Sequence, residues 1–162
     1  MAVNYFLKLD GVEGESADKD YKKQIRILGW SWGASQLSSV EANGGSGAGK
    51  VNVAEFSVNT YFDKATPKFF KNICAGTHFK TATLSACKAT GASTSGKPYL
   101  TVDMGELFVT SIRLNAQTEL PSVELSFSYN DIKIEYFLQN GDGTLVSTGP
   151  VSYDLKANKI EK

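Results

Sequence analysis

Val51-Asn52-Val53-Ala54-Glu55-Phe56-Ser57-Val58-Asn59-Thr60-Tyr61 is β-branched and largely alternating, and it reads as a strand. That reading decides what the segment before it can be. Glu41-Ala42-Asn43-Gly44-Gly45-Ser46-Gly47-Ala48-Gly49-Lys50 comes within one residue of a phosphate-binding loop. Gly44, Gly49 and Lys50 fit the spacing G-x-x-x-x-G-K, but Val51 stands where Ser or Thr would ligate magnesium. A phosphate loop also has to open a helix, whose free N–H groups face the anion. A strand offers no such end, so the sequence predicts a glycine-rich loop over 41–50 and not a nucleotide site.

Alternation continues on both sides of this loop. Val3, Tyr5, Leu7 and Leu9 share one face of a first strand. Asp10 to Asp20 is polar and acidic and reads as a loop. Ile25 and Ile27 lead into Trp30-Ser31-Trp32-Gly33, with a change of phase at Leu28-Gly29 that predicts a bulge or bend. Further strands are expected at 81–88, 99–104, 107–114, 123–129 and 132–138. Asn140-Gly141-Asp142-Gly143 turns the chain into Leu145-Val146 and then Val151 to Leu155.

One helix interrupts the strands. Thr66 suits the N-cap, Pro67 the first helical position, and Gly76 the left-handed C-terminal cap. Phe69 with Ile73, and Phe70 with Cys74, lie four apart and form an apolar stripe. Phe69, Phe70 and Ile73 are therefore expected in the core or at a subunit interface. The fold class is mainly β: a β-barrel or two-sheet sandwich with one flanking α-helix at about 66–76, in a single domain over 1–162.

Composition narrows the function. Hydrophobic residues make up 41% and charged residues 21%, as in an ordinary globular chain. Lys plus Arg and Asp plus Glu are 17 each, so the basic surface of a nucleic-acid binder is not expected. Zero net charge also removes one defence against self-association. Lys8 and Asp10 interrupt the N-terminal apolar residues, which read as a first strand and not a signal peptide; no stretch has the length of a membrane helix. Cys74 and Cys87 do not form C-x-x-C and are expected as free, half-buried thiols in a reducing compartment.

No cofactor or metal is expected. His78 is the one histidine and has no charge partner beside it in sequence. Asn140-x-Asp142-x-Thr144 resembles the start of a calcium loop, but Leu145 and Val151 occupy the positions of the required glycine and glutamate. The carboxylates are scattered, and solvated surface explains a pair such as Asp103 with Glu106 better than a glycosidase-like site does. Catalysis is not the expected role. Trp30 and Trp32 share a strand face, which suits core, a subunit interface or a sugar-stacking platform, whereas Ser31 points the other way.

Longer stretches carry a resemblance. Phe6-Leu7-Lys8-Leu9-Asp10-Gly11-Val12-x-Gly14-Glu15-Ser16, Trp30-Ser31-Trp32-Gly33-x-Ser35-Gln36, Gly47-Ala48-Gly49-Lys50-Val51-Asn52-Val53 and Asp63-Lys64-Ala65-Thr66-Pro67 resemble the haemolysin-coregulated protein family. So do Ile132-Lys133-Ile134-Glu135-Tyr136 and Tyr153-Asp154-Leu155-Lys156-Ala157-Asn158-Lys159, so the likeness runs through nearly the whole chain in order. One departure lies between Ile112 and Val123, where Arg113-Leu114-Asn115-Ala116-Gln117-Thr118 replaces a loop that is often glycine-rich in the family.

The resemblance implies a β-barrel with a flanking helix that closes as a homohexameric ring. Stacked rings form the hollow inner tube of the bacterial type VI secretion system. Its partners are sheath and spike proteins and small protein effectors in the lumen, with no nucleic acid and no membrane insertion. The tube is made in the cytoplasm and then expelled. On this reading Glu41, Asn43, Gly44, Gly45, Gly47, Gly49 and Lys50 belong to an inter-ring arm, Ser31 faces the lumen, and Trp30 and Trp32 lie in the core or ring interface. The alternative is a monomeric β-sandwich carbohydrate-binding module using Trp30 and Trp32; a degenerate nucleotide hydrolase ranks behind it.

Overall fold

Period-two alternation sorts side chains to two faces, and burying one face against itself closes a sheet. The structure, a computed structural model, describes residues 3–36, 38–40, 46–48, 50–88, 96–117 and 119–161. Its strands are β1 (Val3–Leu9), β2 (Ile25–Ser31), β3 (Ala34–Ser35), β4 (Ser38–Val40), β5 (Ser46–Ala48), β6 (Asn52–Val53) and β7 (Phe56–Tyr61). Helix α1 (Thr66–Ala75) follows, then β8 (His78–Lys88), β9 (Pro98–Asn115), β10 (Ser122–Ser128) and β11 (Asp131–Gln139). The chain finishes with β12 (Leu145–Ser147), β13 (Val151–Asp154) and β14 (Lys159–Glu161). The molecule is mainly β, as expected.

Six strands close into a barrel in the order β10, β7, β2, β1, β8, β9, with β9 pairing back onto β10. Beyond the barrel, β11, β13 and β14 extend the sheet from β9, and β12 pairs with β11. One long strand makes closure possible. The first half of β9 pairs with β8 and β11, and residues from Phe108 to Asn115 pair with β10. Glu106 sits between them at φ +48°. The two strands expected at 99–104 and 107–114 are thus one bent strand: a single left-handed residue redirects the chain while the ladders continue.

The expected strand over 51–61 is also revised. Asn52 and Val53 pair with β3, and the barrel ladder restarts only at Phe56. Between them the Ala54 N–H donates to the Gly33 carbonyl at 2.8 Å, and its own carbonyl accepts from Tyr129 Oη at 2.8 Å, so neither group is free for the barrel. Within the segment expected as a loop, Ser46–Ala48 pair with Ser38–Val40 as a small hairpin. The bulge expected near Leu28 is present as a register shift between Ile27 and Gly29. It turns Ile27 and Trp30 to the same side.

Phe56, Phe127, Leu7, Ile25, Leu84 and Leu107 fill the barrel and are fully buried. Helix α1 packs against it through Phe69, whose ring meets Phe79 and Phe127 edge-on at centroid distances of 6.2 and 6.1 Å. Phe70, expected in the core or at a subunit interface, is 61% exposed and so lies outside the core; one turn of helix cannot aim adjacent residues at one partner.

The helix start differs as well. The N-cap is Ala65, and Thr66 is the first helical residue. Just before the helix, the Asp63 carboxylate accepts from the Ala65 N–H at 2.9 Å. Thr66 Oγ1 accepts the Asp63 N–H in return. Gly76 closes the helix at φ +63°, as its position predicts.

Candidate functional site

Three strands repeat one local pattern: Trp30-Ser31-Trp32, Phe56-Ser57-Val58 and Leu125-Ser126-Phe127. In each, large apolar residues turn toward the barrel and the serine turns out. Pairing then aligns them. Ser31 stands opposite Ser57, Ser57 opposite Ser126, and Ser126 opposite Ser111. The four serines form one rung across β2, β7, β10 and β9. Ser57 and Ser126 are hydrogen-bonded through their hydroxyls at 3.2 Å, while Ser31 and Ser111 are exposed.

The rungs beside it are polar too. Asn59, Glu124 and Arg113 stand opposite one another, followed by Tyr61, Ser122 and Asn115. Asn115 Nδ2 donates to Glu124 Oε1 at 3.3 Å. A shallow hollow of 340 Å³ lies over Arg113, Asn115, Gln117, Ser122 and Glu124. The four strands therefore present a wall of small hydroxyls with a flanking Glu/Arg rung. Such a wall presents mainly hydrogen-bonding groups to solvent.

The tryptophans lie behind this wall. Trp30 stacks on Phe56 at 5.6 Å, with an interplanar angle of 10°, and meets Tyr5 edge-on. Trp32 Nε1 donates to Tyr129 Oη, which donates onward to the Ala54 carbonyl. Burial pushes the Tyr129 phenol up from its ordinary range, partly offset by the Trp32 hydrogen bond. Both indoles are partly buried and pack against the core. With one ring stacked on Phe56 and the other N–H engaged, they do not make a sugar platform. That removes the feature on which the carbohydrate-binding alternative rested.

Other candidates separate. His78, expected without a charge partner, pairs through Nε2 with Glu106 Oε2 at 2.8 Å. The partner was hidden because it lies on the neighbouring strand. Asp103 is bound by Thr83 Oγ1 at 2.6 Å and Lys133 Nζ at 3.0 Å, so Asp103 and Glu106 have different partners. Cys87 is fully buried and Cys74 exposed; neither is half-buried. Ile73 is partly buried against the core. Lys50 is exposed and Gly47 stands opposite Ser39 in the small hairpin, whereas Glu41, Asn43, Gly44, Gly45 and Gly49 lie outside the described residues.

Ser57, Ser111 and Ser126 were missed by sequence reasoning. The repeated apolar–Ser–apolar triplet was the available signal for two of them, but only strand register shows that the serines meet. Among the described residues no His, Cys, Asp and Glu cluster is arranged to hold a metal, and no helix is long and apolar enough to cross a membrane.

Residues 6–136 match the family described as "Type VI secretion system effector, Hcp". The chain is 36% identical over 155 residues to "Protein hcp1" of Pseudomonas aeruginosa, covering 94% of each. Among solved structures, one described as a type six secretion system protein superposes with a TM-score of 0.90 at 28% identity, covering 99% of this chain and 100% of that one. Hcp1 from Salmonella typhimurium gives 0.78 at 30% identity, covering 99% and 100%.

Proposed function

The chain belongs to the Hcp family as a structural tube protein of type VI secretion, and we propose that six copies close into a ring with the serine rung toward the lumen. Rings then stack into a tube that carries small protein effectors and is expelled by the contractile sheath with the spike at its tip, having been assembled in the bacterial cytoplasm. The observation that carries this reading is the rung Ser31–Ser57–Ser126–Ser111. Barrel strands need one apolar face only; four aligned serines on the other make a smooth, hydrated lining past which a folded cargo slides. Ser31, exposed at the end of the rung, is the proposed cargo-facing residue.

The segment 41–50 is proposed as the arm between rings, with Lys50 free to meet an acidic edge.

Native mass measurement tests the reading at its base: a hexamer is expected, and a strictly monomeric protein would refute it. Ser31→Glu should leave rings intact and change which small proteins co-purify; unaltered retention would remove Ser31 from the cargo face. Deleting 44–49 should spare rings and abolish tubes in electron micrographs.

A further inference from the structure

Four lysines meet where the loop after β1 folds back beside helix α1. Lys8 from β1, Lys22 and Lys23 from the loop and Lys68 from α1 line one hollow of 560 Å³, with Glu13 as its single carboxylate. All four lysines are exposed. The chain as a whole carries 17 basic and 17 acidic side chains, so this local excess departs from its average. Glu13 does not offset it. Its carboxylate is shared by Lys23 Nζ at 3.2 Å and Lys64 Nζ at 3.4 Å, one negative charge against two ammonium groups. Hydrogen bonding and charge from Lys23, then from Lys64, hold the Glu13 carboxyl below its usual range. Among the described residues, no hydrogen bond or ion pair engages the ammonium of Lys8, Lys22 or Lys68.

The backbone fixes this arrangement. Lys23 sits at φ +62°, a left-handed conformation that is uncommon for a residue with a side chain. Its N–H donates to the Ser16 carbonyl at 2.8 Å, and its own carbonyl accepts from the Gly14 N–H at 2.8 Å. Gly14 permits that approach, because a Cβ there would lie 2.5 Å from the Gln24 carbonyl oxygen. On the other wall, Lys68 stands in the first turn of α1, which has no acidic residue. The peptide dipoles make that end of a helix positive, so it favours an anion and disfavours a lysine.

Clustered ammonium groups repel one another, and an anion between them reverses the sign of that interaction. A concave site lined by one sign of charge also concentrates counter-ions. Lysine binds phosphate as a point charge and needs no fixed fork geometry. The four groups come from three segments around a cup, so a compact ligand with several charges meets them together. A flat anionic surface would meet only the rim.

We propose that this hollow is a binding site for a compact, multiply charged phosphate ligand, held by Lys8, Lys22, Lys23 and Lys68. The site is complete within one subunit, so it goes beyond the tube reading and does not depend on it.

The test is calorimetric titration of the full chain with sodium tripolyphosphate, at low salt and again at about 0.5 M sodium chloride, where screening is strong. Binding is expected at low salt and should weaken steeply at high salt. Lys22→Glu and Lys68→Glu should each weaken it at least about 10-fold, as loss of a charge-assisted contact does. Lys156→Glu makes the same change of net charge outside the hollow and should leave the dissociation constant within about twofold, because salt screens distant charges. All three lysines are exposed, so the variants should fold, and circular dichroism checks that they do. Absence of binding at about 1 mM tripolyphosphate overturns the proposal. So does equal weakening by Lys156→Glu, which would mean diffuse charge and not a site. Binding to phosphatidylglycerol vesicles without binding to tripolyphosphate overturns it too, because that pattern belongs to a flat surface and not to a cup.

Discussion

Phe69 and Phe70 are neighbours of identical chemistry, yet the fold gives them opposite work, so their truncation makes a sharp pair of experiments. Phe69 is 1% exposed and Phe70 61%. Phe69→Ala removes a buried ring, leaves a cavity and deletes two edge-on contacts, at 6.2 Å to Phe79 and 6.1 Å to Phe127. Burial and cavity together put the loss at about 3–5 kcal/mol. With a urea dependence of roughly 2 kcal/mol per molar, the midpoint should fall by about 2 M. Phe70→Ala removes a ring that is largely in water and should cost the isolated subunit under about 0.5 kcal/mol. The assay is urea unfolding followed by tryptophan fluorescence, repeated at tenfold lower protein concentration. Concentration-independent midpoints show that subunit stability, and not assembly, is being read. Equal losses for the two variants under those conditions would refute the division of roles. A Phe69→Ala shift below about 0.5 M would refute the burial argument.

Three further outcomes follow from the same geometry. Tyr129→Phe leaves the Trp32 N–H and the Ala54 carbonyl without their shared partner and should cost about 1–3 kcal/mol in urea unfolding; an unchanged midpoint would show that the relay is replaced by water. Gly14→Ala places a Cβ 2.5 Å from the Gln24 carbonyl oxygen, a backbone atom that cannot swing away, whereas Gly33→Ala meets nothing within 4 Å. Thermal melts should therefore show a large loss for the first and almost none for the second. Burial, with Asp154 and Glu106 nearby, pushes the Asp131 carboxyl above its ordinary range. Its raised folded value favours the protonated form, so the associated stability is present below the ordinary carboxylate range and lost as pH rises through the folded value. Asp131→Asn should accordingly raise the urea midpoint at neutral pH and bring no gain at about pH 3; a gain independent of pH would contradict the assignment.

Much of this was legible in the chain because it is local. Alternation in Val3–Leu9 and in Phe56–Tyr61 assigns side chains to faces without reference to any partner. The bulge at Leu28-Gly29 shows as a change of phase, and Gly76 marks a helix end because few other residues tolerate its left-handed backbone. Other features had no local signature. Ala65 displaces Thr66 as the N-cap, beside side-chain bonds that any Asp-x-x-Thr can make or omit. His78 acquires Glu106 only because β8 and β9 pair as they do. For Phe70 a four-residue spacing defines a stripe but does not say which layer covers it.

By itself, then, the sequence determined a mainly β domain with one helix, the inward side of most strands, and membership of a family whose likeness runs almost end to end. Tertiary structure alone decided that β9 bends at Glu106 to close the barrel, that Ser31, Ser57, Ser126 and Ser111 meet in one rung, and that the outer sheet leaves its apolar face uncovered. The physical reason is range. A side chain's face is set by its immediate neighbours through the pleat, whereas its rung and its cover are set by register between strands tens of residues apart.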